Sequence, residues 1–159
     1  MTSLEKDVGN LLRQKGLTLG VVESATGGLI SHLLTNIPGS SDYYQGSITS
    51  YSNEAKIRLV GVNADTIRQY GAVSHQVAEE MAQGGRKALA VDICIADTGV
   101  AGPGGATPNK PVGLFYLGLS HQAVTCSQKH LFHEDREQNK RDAAKAALTW
   151  LKEYLVNLK

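Results

Sequence analysis

Residues 39–56, GSSDYYQGSITSYSNEAK, gather in one short segment hydroxyl, phenol and amine groups that could take part in proton-transfer or nucleophilic chemistry. The segment has hydroxyls at Ser40 and Ser41, three tyrosines and one lysine, Lys56. A serine hydroxyl becomes a good nucleophile only when a base takes its proton, and a lysine can be that base if its pKa is lowered toward neutrality. The same residue types also suit a solvated polar surface, so composition alone leaves both interpretations open.

The pattern around Lys56 predicts a turn, a strand and a helix in succession. Residues 38–41, PGSS, are typical of a turn, and residues 46–51, GSITSY, are typical of a strand. Ser52 or Asn53 can cap a following helix. Lys56 then lies in the first turns of that helix, which gives its side chain a definite direction.

A second candidate for chemistry is the turn formed by residues 23–28, ESATGG, between an apolar strand pattern at 17–22 and a helix predicted over 29–35. Unpaired backbone N–H groups and the positive end of a helix dipole suit an anion such as phosphate. Ordinary N-capping by Ser24 or Thr26 explains the same pattern.

A third candidate is the Gly-rich segment 97–105, DTGVAGPGG, which follows an apolar strand pattern. Four glycines let the backbone turn sharply and approach a ligand, although a plain connecting loop fits equally well. No Gly-Lys-Ser/Thr closes the segment and the G-x-G-x-x-G spacing is absent, which disfavours ATP and NAD. Thr98 lies at the strand end, where open α/β sheets present ligand-contacting groups. Arg136 opens the last helix and is predicted either to form an exposed ion pair or to bind phosphate or carboxylate.

The bulk composition excludes several classes of protein. With 16 Lys and Arg against 15 Asp and Glu, the net charge of +1 supplies no field for binding a nucleic-acid backbone. No apolar run approaches the roughly 20 residues that span a bilayer, so we expect a soluble cytoplasmic protein. Cys94 and Cys126 lie in strand-like segments and are expected to be structural. The five histidines form no ligand pattern, so we expect neither a metal nor another cofactor.

Helical and strand patterns alternate along the chain and end in a hairpin followed by a long helix. The hairpin strands are predicted at 112–119 and 123–132. This order predicts an α/β fold, a single-domain α/β/α sandwich with a mixed sheet over residues 1–159. An exposed hairpin edge and a long terminal helix are surfaces suited to self-association, so we expect a homo-oligomer.

Several phrases together identify a resemblance that covers almost the whole chain. They are residues 23–28 (ESATGG), 38–41 (PGSS), 51–56 (YSNEAK), 71–74 (GAVS), 98–105 (TGVAGPGG) and 110–113 (KPVG). In this order and spacing the chain resembles the CinA C-terminal domain family, the nicotinamide-nucleotide amidases. The resemblance implies hydrolysis of the carboxamide of nicotinamide mononucleotide to nicotinate mononucleotide and ammonia, in pyridine-nucleotide recycling.

The resemblance also implies a serine nucleophile with a lysine base. Ser41 matches the second serine of the family's Gly-Ser-Ser phrase, and Ser24 matches the serine before Thr-Gly-Gly. We assign the nucleophile to Ser41 and the base to Lys56. Tyr51, five residues earlier, is expected to relay a proton or to orient the lysine.

Substrate binding is assigned by the same resemblance and by the site logic above. The expected residues are Ser24, Thr26 and Gly27 on the phosphate or ribose side, with Thr98, Gly99 and Arg136. Three positions depart from the family pattern. At Ala25 the family often has cysteine, which a Ser–Lys mechanism does not need. Asp97 would repel a phosphate or hold Lys56 charged, and Lys140 replaces a frequent arginine. A non-catalytic nucleotide-binding module and an amidase for another amide are the alternative functions.

Overall fold

A computed structural model describes residues 2–159 of the chain. Within these residues the chain forms six α-helices, one short 3-10 helix at Ser40–Asp42 and five strands. In chain order the principal elements are α1 (Leu4–Lys15), β1 (Leu19–Glu23), α2 (Leu29–Thr35), β2 (Tyr44–Thr49), α3 (Asn53–Val60), α4 (Ala64–Tyr70), α5 (His75–Leu89), β3 (Ile93–Gly99), β4 (Leu114–His121), β5 (Val124–Leu131) and α6 (Arg136–Asn157).

The strands form one mixed sheet in the order β2-β1-β3-β4-β5. Strands β1, β2 and β3 are parallel, whereas β4 and β5 form an antiparallel hairpin against β3. Parallel strands align their carboxyl ends at one edge of the sheet, and the turns after β1, β2 and β3 therefore lie side by side. The predicted α/β fold with a mixed sheet is confirmed.

Apolar residues cover both faces of the sheet because successive side chains of a strand point to opposite sides. Leu19 and Val21 of β1 pack in one core with α1, α2 and α6, whereas Val22 packs in a second core with α5. This second core also includes Val60, at the end of α3. Helices on both faces make the predicted three-layer sandwich.

The helix containing Lys56 begins as its cap residue predicts. The Ser52 hydroxyl accepts a hydrogen bond from the Ala55 N–H at 3.0 Å. It thereby pairs one of the N–H groups at the start of α3 that have no partner within the helix. The preceding strand ends two residues earlier than predicted, at Thr49, so Ser50 and Tyr51 lie between β2 and α3. The carbonyl groups of Ser50 and Tyr51 are therefore outside the hydrogen-bond pattern of the strands and can accept hydrogen bonds from another group.

Several further expectations concern burial and exposure. Cys94 is fully buried and burial raises the pKa of its thiol to about 12, whereas Cys126 on β5 is only half-buried.

Strand β5 is an edge of the sheet and exposes Val124 and Leu131. Among residues 2–159, no helix is both long enough and apolar enough to cross a membrane.

Candidate active site

Four predicted site residues meet at the carboxyl edge of the parallel strands. Ser24 directly follows β1, Lys56 lies in the helix after β2, and Gly99 ends β3. Arg136, the first residue of α6, borders the same cavity as Ser24 and Gly99. Residues far apart in sequence are thus brought together where ligands usually bind in open α/β sheets.

The central contact joins the Lys56 ammonium nitrogen to the Ser24 hydroxyl. Lys56 is only 2% exposed, and its Nζ lies 2.9 Å from Ser24 Oγ. The same nitrogen lies 3.0 Å from the Ser50 carbonyl oxygen and 2.9 Å from that of Tyr51. A neutral amine can donate its two hydrogens to these carbonyls, which aims its lone pair at the Ser24 hydroxyl. This is the geometry of a base that takes the serine proton.

The electrostatic surroundings favour the neutral form of this lysine. Burial lowers the pKa of Lys56 from its ordinary value of 10.5, because the charged form loses its hydration. The Asp97 carboxyl opposes this effect and raises the pKa of Lys56 by a smaller amount. The predicted influence of Asp97 on Lys56 is therefore present, but burial is the larger cause.

The geometry contradicts the assignment of Ser41 as the nucleophile. Ser41 lies in the turn before β2, at the amino edge of the sheet, whereas Lys56 follows the carboxyl end of the same strand. A six-residue strand separates them, which at about 3.3 Å per residue amounts to roughly 20 Å. The turn is held instead against α1, where Arg13 donates to Gly39 O at 2.9 Å and pairs with Asp42.

Tyr51 occupies the rim of the site rather than a relay position. Its side chain is 61% exposed, and its hydroxyl accepts a hydrogen bond from Arg136 Nη2 at 3.2 Å. Contact with Lys56 is made by the Tyr51 backbone carbonyl, not by the phenol. The structure thus supports the expectation that Tyr51 orients the lysine, through its main chain, and contradicts a relay through its hydroxyl.

The turn after β1 does not present free α2 N–H groups to an external anion. The buried Glu23 carboxylate accepts hydrogen bonds from the backbone N–H groups of Gly28, Ile30 and Ser31 at 2.9–3.1 Å. It also accepts from the Ser31 hydroxyl at 2.7 Å and from the Thr26 hydroxyl at 2.6 Å. The protein's own carboxylate occupies the predicted phosphate position, because a carboxylate is the anion that a helix start stabilises.

Asp97 lies beneath this turn and is fully buried. Its carboxyl accepts from Ser24 N–H at 3.2 Å and Thr26 N–H at 3.1 Å, and it also contacts the Thr26 hydroxyl. Burial raises the pKa of Asp97 to about 6, the Thr26 hydroxyl lowers it, and the Glu23 charge raises it further. Because Asp97 faces the interior, the expectation that it repels a bound phosphate finds no support.

The Gly-rich loop contributes a wall of the cavity beside Ser24. The cavity has a volume of about 240 Å³ and is lined by Ser24, Ala25, Tyr51, Val73, Gly99, Val100, Ala101, Gly104, Gly105 and Arg136. Gly99 lies there as predicted, packed so closely on Phe115 that a Cβ would meet its ring at 2.4 Å. Thr98 does not, since its buried hydroxyl donates to Ala72 O at 2.9 Å on the other side of the strand.

A larger basic cleft adjoins this cavity and shares Arg136 with it. The cleft has a volume of about 640 Å³ and is lined by Thr26, Gly27, Gly28, Leu29, His32, Arg136, Glu137, Lys140 and Arg141. Arg136 is held by its bond to Gly102 O at 2.8 Å, and Lys140 Nζ lies beside Gly27. Gly27 and Arg136, both predicted to bind the substrate, thus line one cleft whose basic side chains suit an anion.

Sequence reasoning expected backbone N–H groups near Ser41 or Gly99 to contribute, but it missed the main-chain groups beside Lys56 and Ser24. The carbonyls of Ser50 and Tyr51 orient Lys56, and their positions depend on where β2 ends. The Ala25 N–H follows Ser24 and takes no part in the bonds that tie the neighbouring N–H groups to Asp97. The signal for Glu23 was present, because a carboxylate at the end of an apolar strand must find donors. Among the described residues, no group of three His, Cys, Asp or Glu side chains is placed to hold a metal.

Comparison with known proteins gives consistent matches over the chain. A sequence profile of the CinA C-terminal domain matches residues 1–155. A CinA-like protein of Salinibacter ruber is 47% identical over 146 residues, covering 92% of this chain and 35% of that protein. The chain spans little more than a third of the length of the curated relatives it matches.

Solved structures agree with these matches. The competence damage-inducible protein A (ComA) of Klebsiella pneumoniae superimposes with a TM-score of 0.95 at 29% identity, covering 98% of this chain and 97% of that one. The competence or damage-inducible protein of Enterobacter asburiae superimposes with a TM-score of 0.93 at 32% identity, covering 96% of each chain.

Proposed function

The chain belongs to the CinA C-terminal domain family, and from this membership we propose that it hydrolyses the carboxamide of nicotinamide mononucleotide, with Ser24 as nucleophile and Lys56 as base. The products are nicotinate mononucleotide and ammonia. The observation that carries the proposal is the 2.9 Å contact between buried Lys56 and Ser24. A buried lysine that donates to two carbonyls and faces a serine at a cavity wall has the arrangement expected of a Ser–Lys hydrolase.

In the first half-reaction, Lys56 takes the Ser24 proton as Oγ attacks the carboxamide carbon. The tetrahedral intermediate collapses when the C–N bond breaks, and Lys56 returns its proton to the departing nitrogen, which leaves as ammonia. Ser24 is then esterified to the nicotinate carbonyl. In the second half-reaction Lys56 takes a proton from water, the hydroxide attacks the ester, and the Ser24 hydroxyl is regenerated with release of the acid.

The oxyanion that forms during both attacks needs fixed donors. The Ala25 N–H is the nearest backbone donor in sequence to Ser24, and Ala25 lines the cavity. We assign this group to the oxyanion site, with the opposite wall formed by the glycines of the Gly-rich loop. Loss of one such donor typically reduces kcat by about a hundredfold to a thousandfold.

We assign the two chemically different ends of the substrate to the two adjoining cavities. The cavity of about 240 Å³ beside Ser24 suits the nicotinamide ring with its amide. The phosphate then lies in the cleft that Arg136, Lys140 and Arg141 make basic. Arg136 borders both, so it is suited to bind the substrate between its two ends. Thr26 supports this arrangement through the turn rather than through a free hydroxyl, since that hydroxyl contacts Glu23 and Asp97.

The experiment is ammonia release from nicotinamide mononucleotide by Ser24→Ala and Lys56→Met, with Ser41→Ala as the matched serine control. We expect the first two variants to lose at least about a hundredfold in kcat/KM, as expected for loss of a general base or nucleophile. Ser41→Ala should act like the wild-type protein, because Ser41 is exposed at the opposite edge of the sheet. Activity retained by Ser24→Ala and lost in Ser41→Ala would reverse the assignment.

Two alternative functions have distinct outcomes in the same assay. A non-catalytic nucleotide-binding role would leave the amide intact while calorimetry detects binding of nicotinamide mononucleotide. An amidase for another substrate would show turnover dependent on Ser24 only in a wider amide screen. The basic cleft is compatible with all three functions, whereas the Ser24–Lys56 contact favours hydrolysis.

A further inference from the structure

Two buried carboxyl groups contact the same hydroxyl beneath the proposed nucleophile. Thr26 Oγ1 lies 2.6 Å from Glu23 Oε1 and also in hydrogen-bond contact with Asp97 Oδ2. All three side chains are at most 1% exposed. A threonine hydroxyl has a single proton to donate, and ionised carboxylates only accept. If both carboxyls were ionised, one of these two contacts would therefore lack a hydrogen.

The missing proton belongs on Asp97 rather than on Glu23. Glu23 accepts five hydrogen bonds at the start of α2, from three backbone N–H groups and two hydroxyls, and these stabilise its ionised form. Asp97 has fewer donors, is fully buried and lies near the Glu23 charge. The shift of the pKa of Asp97 to about 6 has the direction that this proton count requires.

We propose that Asp97 is a positioning residue for Ser24, acting in its protonated form as a donor to Thr26 Oγ1, which in turn donates to Glu23. In this hydrogen-bond network, which runs from Asp97 through Thr26 to Glu23, each contact between a carboxyl group and the hydroxyl has one hydrogen. The other Asp97 contacts fix the backbone N–H groups on both sides of Ala25, which sets the direction of the Ser24 hydroxyl and of the assigned oxyanion donor. Asp97 touches no reacting atom, so its role is indirect.

The charged groups that bear on Asp97 come from two elements. Glu23 at the end of β1 raises the pKa of Asp97, and Lys56 on α3 is itself influenced by Asp97. From α6, Lys140 approaches the turn only on its outer side, beside Gly27. Ionised Asp97 favours the ammonium form of Lys56. Loss of the Asp97 proton therefore both loosens the turn and lowers the fraction of Lys56 that is neutral and able to take a proton.

Infrared difference spectra can test whether the Asp97 carboxyl is protonated, and the measurement needs no substrate. For the wild-type protein between pH 5 and pH 8, we expect a carboxylic-acid C=O band that disappears on alkalinisation with a midpoint near 6. The band should be absent from Asp97→Asn. In Thr26→Val it should shift to higher frequency because the acceptor is lost, whereas Thr26→Ser should keep the wild-type band. Absence of the band, or a band unchanged in Thr26→Val, would overturn the proposal.

Kinetics test the positioning role and rest on the proposed function. With nicotinamide mononucleotide as substrate, Thr26→Val should lower kcat about tenfold to a hundredfold with little change in KM, since a small misplacement of a nucleophile has effects of this size. Thr26→Ser should restore kcat. Asp97→Leu should lower kcat similarly, and Asp97→Asn should restore most of it because its amide can also donate to Thr26.

The pH profile separates positioning from a merely structural role. Removal of the Asp97 charge in Asp97→Asn should move the rising limb of kcat/KM to lower pH, because Lys56 then loses its proton more easily. An unshifted limb, or loss of kcat in Asp97→Asn as complete as in Asp97→Leu, would contradict the role. If no variant and no wild-type protein turns over this substrate, the proposed function fails while the infrared result still decides the proton.

Discussion

Ionisation of buried Asp97 should destabilise the folded protein by about 3 kcal/mol relative to the Asp97→Asn variant. The pKa of Asp97 is raised from 3.8 to about 6 in the folded protein. A difference of about two units corresponds to about 3 kcal/mol, since each unit is worth about 1.4 kcal/mol. The full amount applies because the side chain is 0% exposed and water does not screen it.

The sign follows from proton binding. A group whose pKa is higher in the folded state binds its proton more tightly there, so its stabilisation is complete below 3.8 and is lost as pH rises through about 6. About half of this change falls between pH 5 and pH 8. Asparagine cannot ionise, so the difference between the two proteins isolates Asp97 from every other titrating group.

Urea denaturation at several pH values between 5 and 8 measures this difference. We expect the free energy of unfolding of the wild-type protein to fall relative to that of Asp97→Asn as pH rises. The slopes with urea concentration should be equal in the two proteins, which shows that the same surface is exposed on unfolding. A stability difference that is constant across this range, or that changes in the opposite direction, would refute the argument for a buried neutral carboxyl.

Two further predictions concern the basic cleft and the assembly of the chain. Lys140→Ala should raise KM for nicotinamide mononucleotide by about tenfold but leave KM for the riboside without phosphate unchanged; equal effects on both would place the phosphate elsewhere. We also propose that the chain is a homo-oligomer that uses the exposed edge of β5, so light scattering at micromolar concentration should give at least a dimer mass. A monomer mass would contradict this assembly, and a dimer unaffected by Leu131→Asp would exclude this edge.

The helices and strands could be predicted from sequence because their signals are local. Ser52 caps α3 as expected, because its hydroxyl accepts a hydrogen bond from the N–H group three residues ahead, and Ser74 caps α5 in the same way. The apolar run of β1 and the hairpin of β4 and β5 likewise depend on neighbouring residues. Strand ends were less well predicted, since β2 stops at Thr49 where the next two carbonyls turn to Lys56.

The choice between Ser24 and Ser41 shows where local signals fail. Both serines match family phrases, and Ser41 is nearer to Lys56 in sequence. Topology decides against it, because Ser41 precedes β2 whereas Ser24 and Lys56 both follow the carboxyl ends of neighbouring parallel strands. Once β1 and β2 are known to be parallel neighbours, the pairing of Ser24 with Lys56 follows.

Asp97 and Thr98 illustrate the same limit on two adjacent residues. From the sequence we predicted that Thr98 binds the ligand and that Asp97 would repel a phosphate. In the sheet the two side chains point to opposite faces, so Asp97 lies under the turn that follows β1, whereas the Thr98 hydroxyl donates to Ala72 O. The sequence pattern placed both residues in a Gly-rich loop, and a loop has no periodicity from which the direction of a side chain can be predicted. The pairing of β3 with its neighbours shows that direction.

The sequence alone determined the α/β fold, the family and the set of chemical groups, because periodicity, caps and motif order are properties of neighbouring residues. Only the tertiary structure decided which serine faces Lys56, which N–H groups are already used by Glu23, and which two carboxyl groups contact the Thr26 hydroxyl. These depend on distances between segments up to 73 residues apart. Such distances follow from strand order and register, which buried apolar surfaces set collectively and which no single motif encodes.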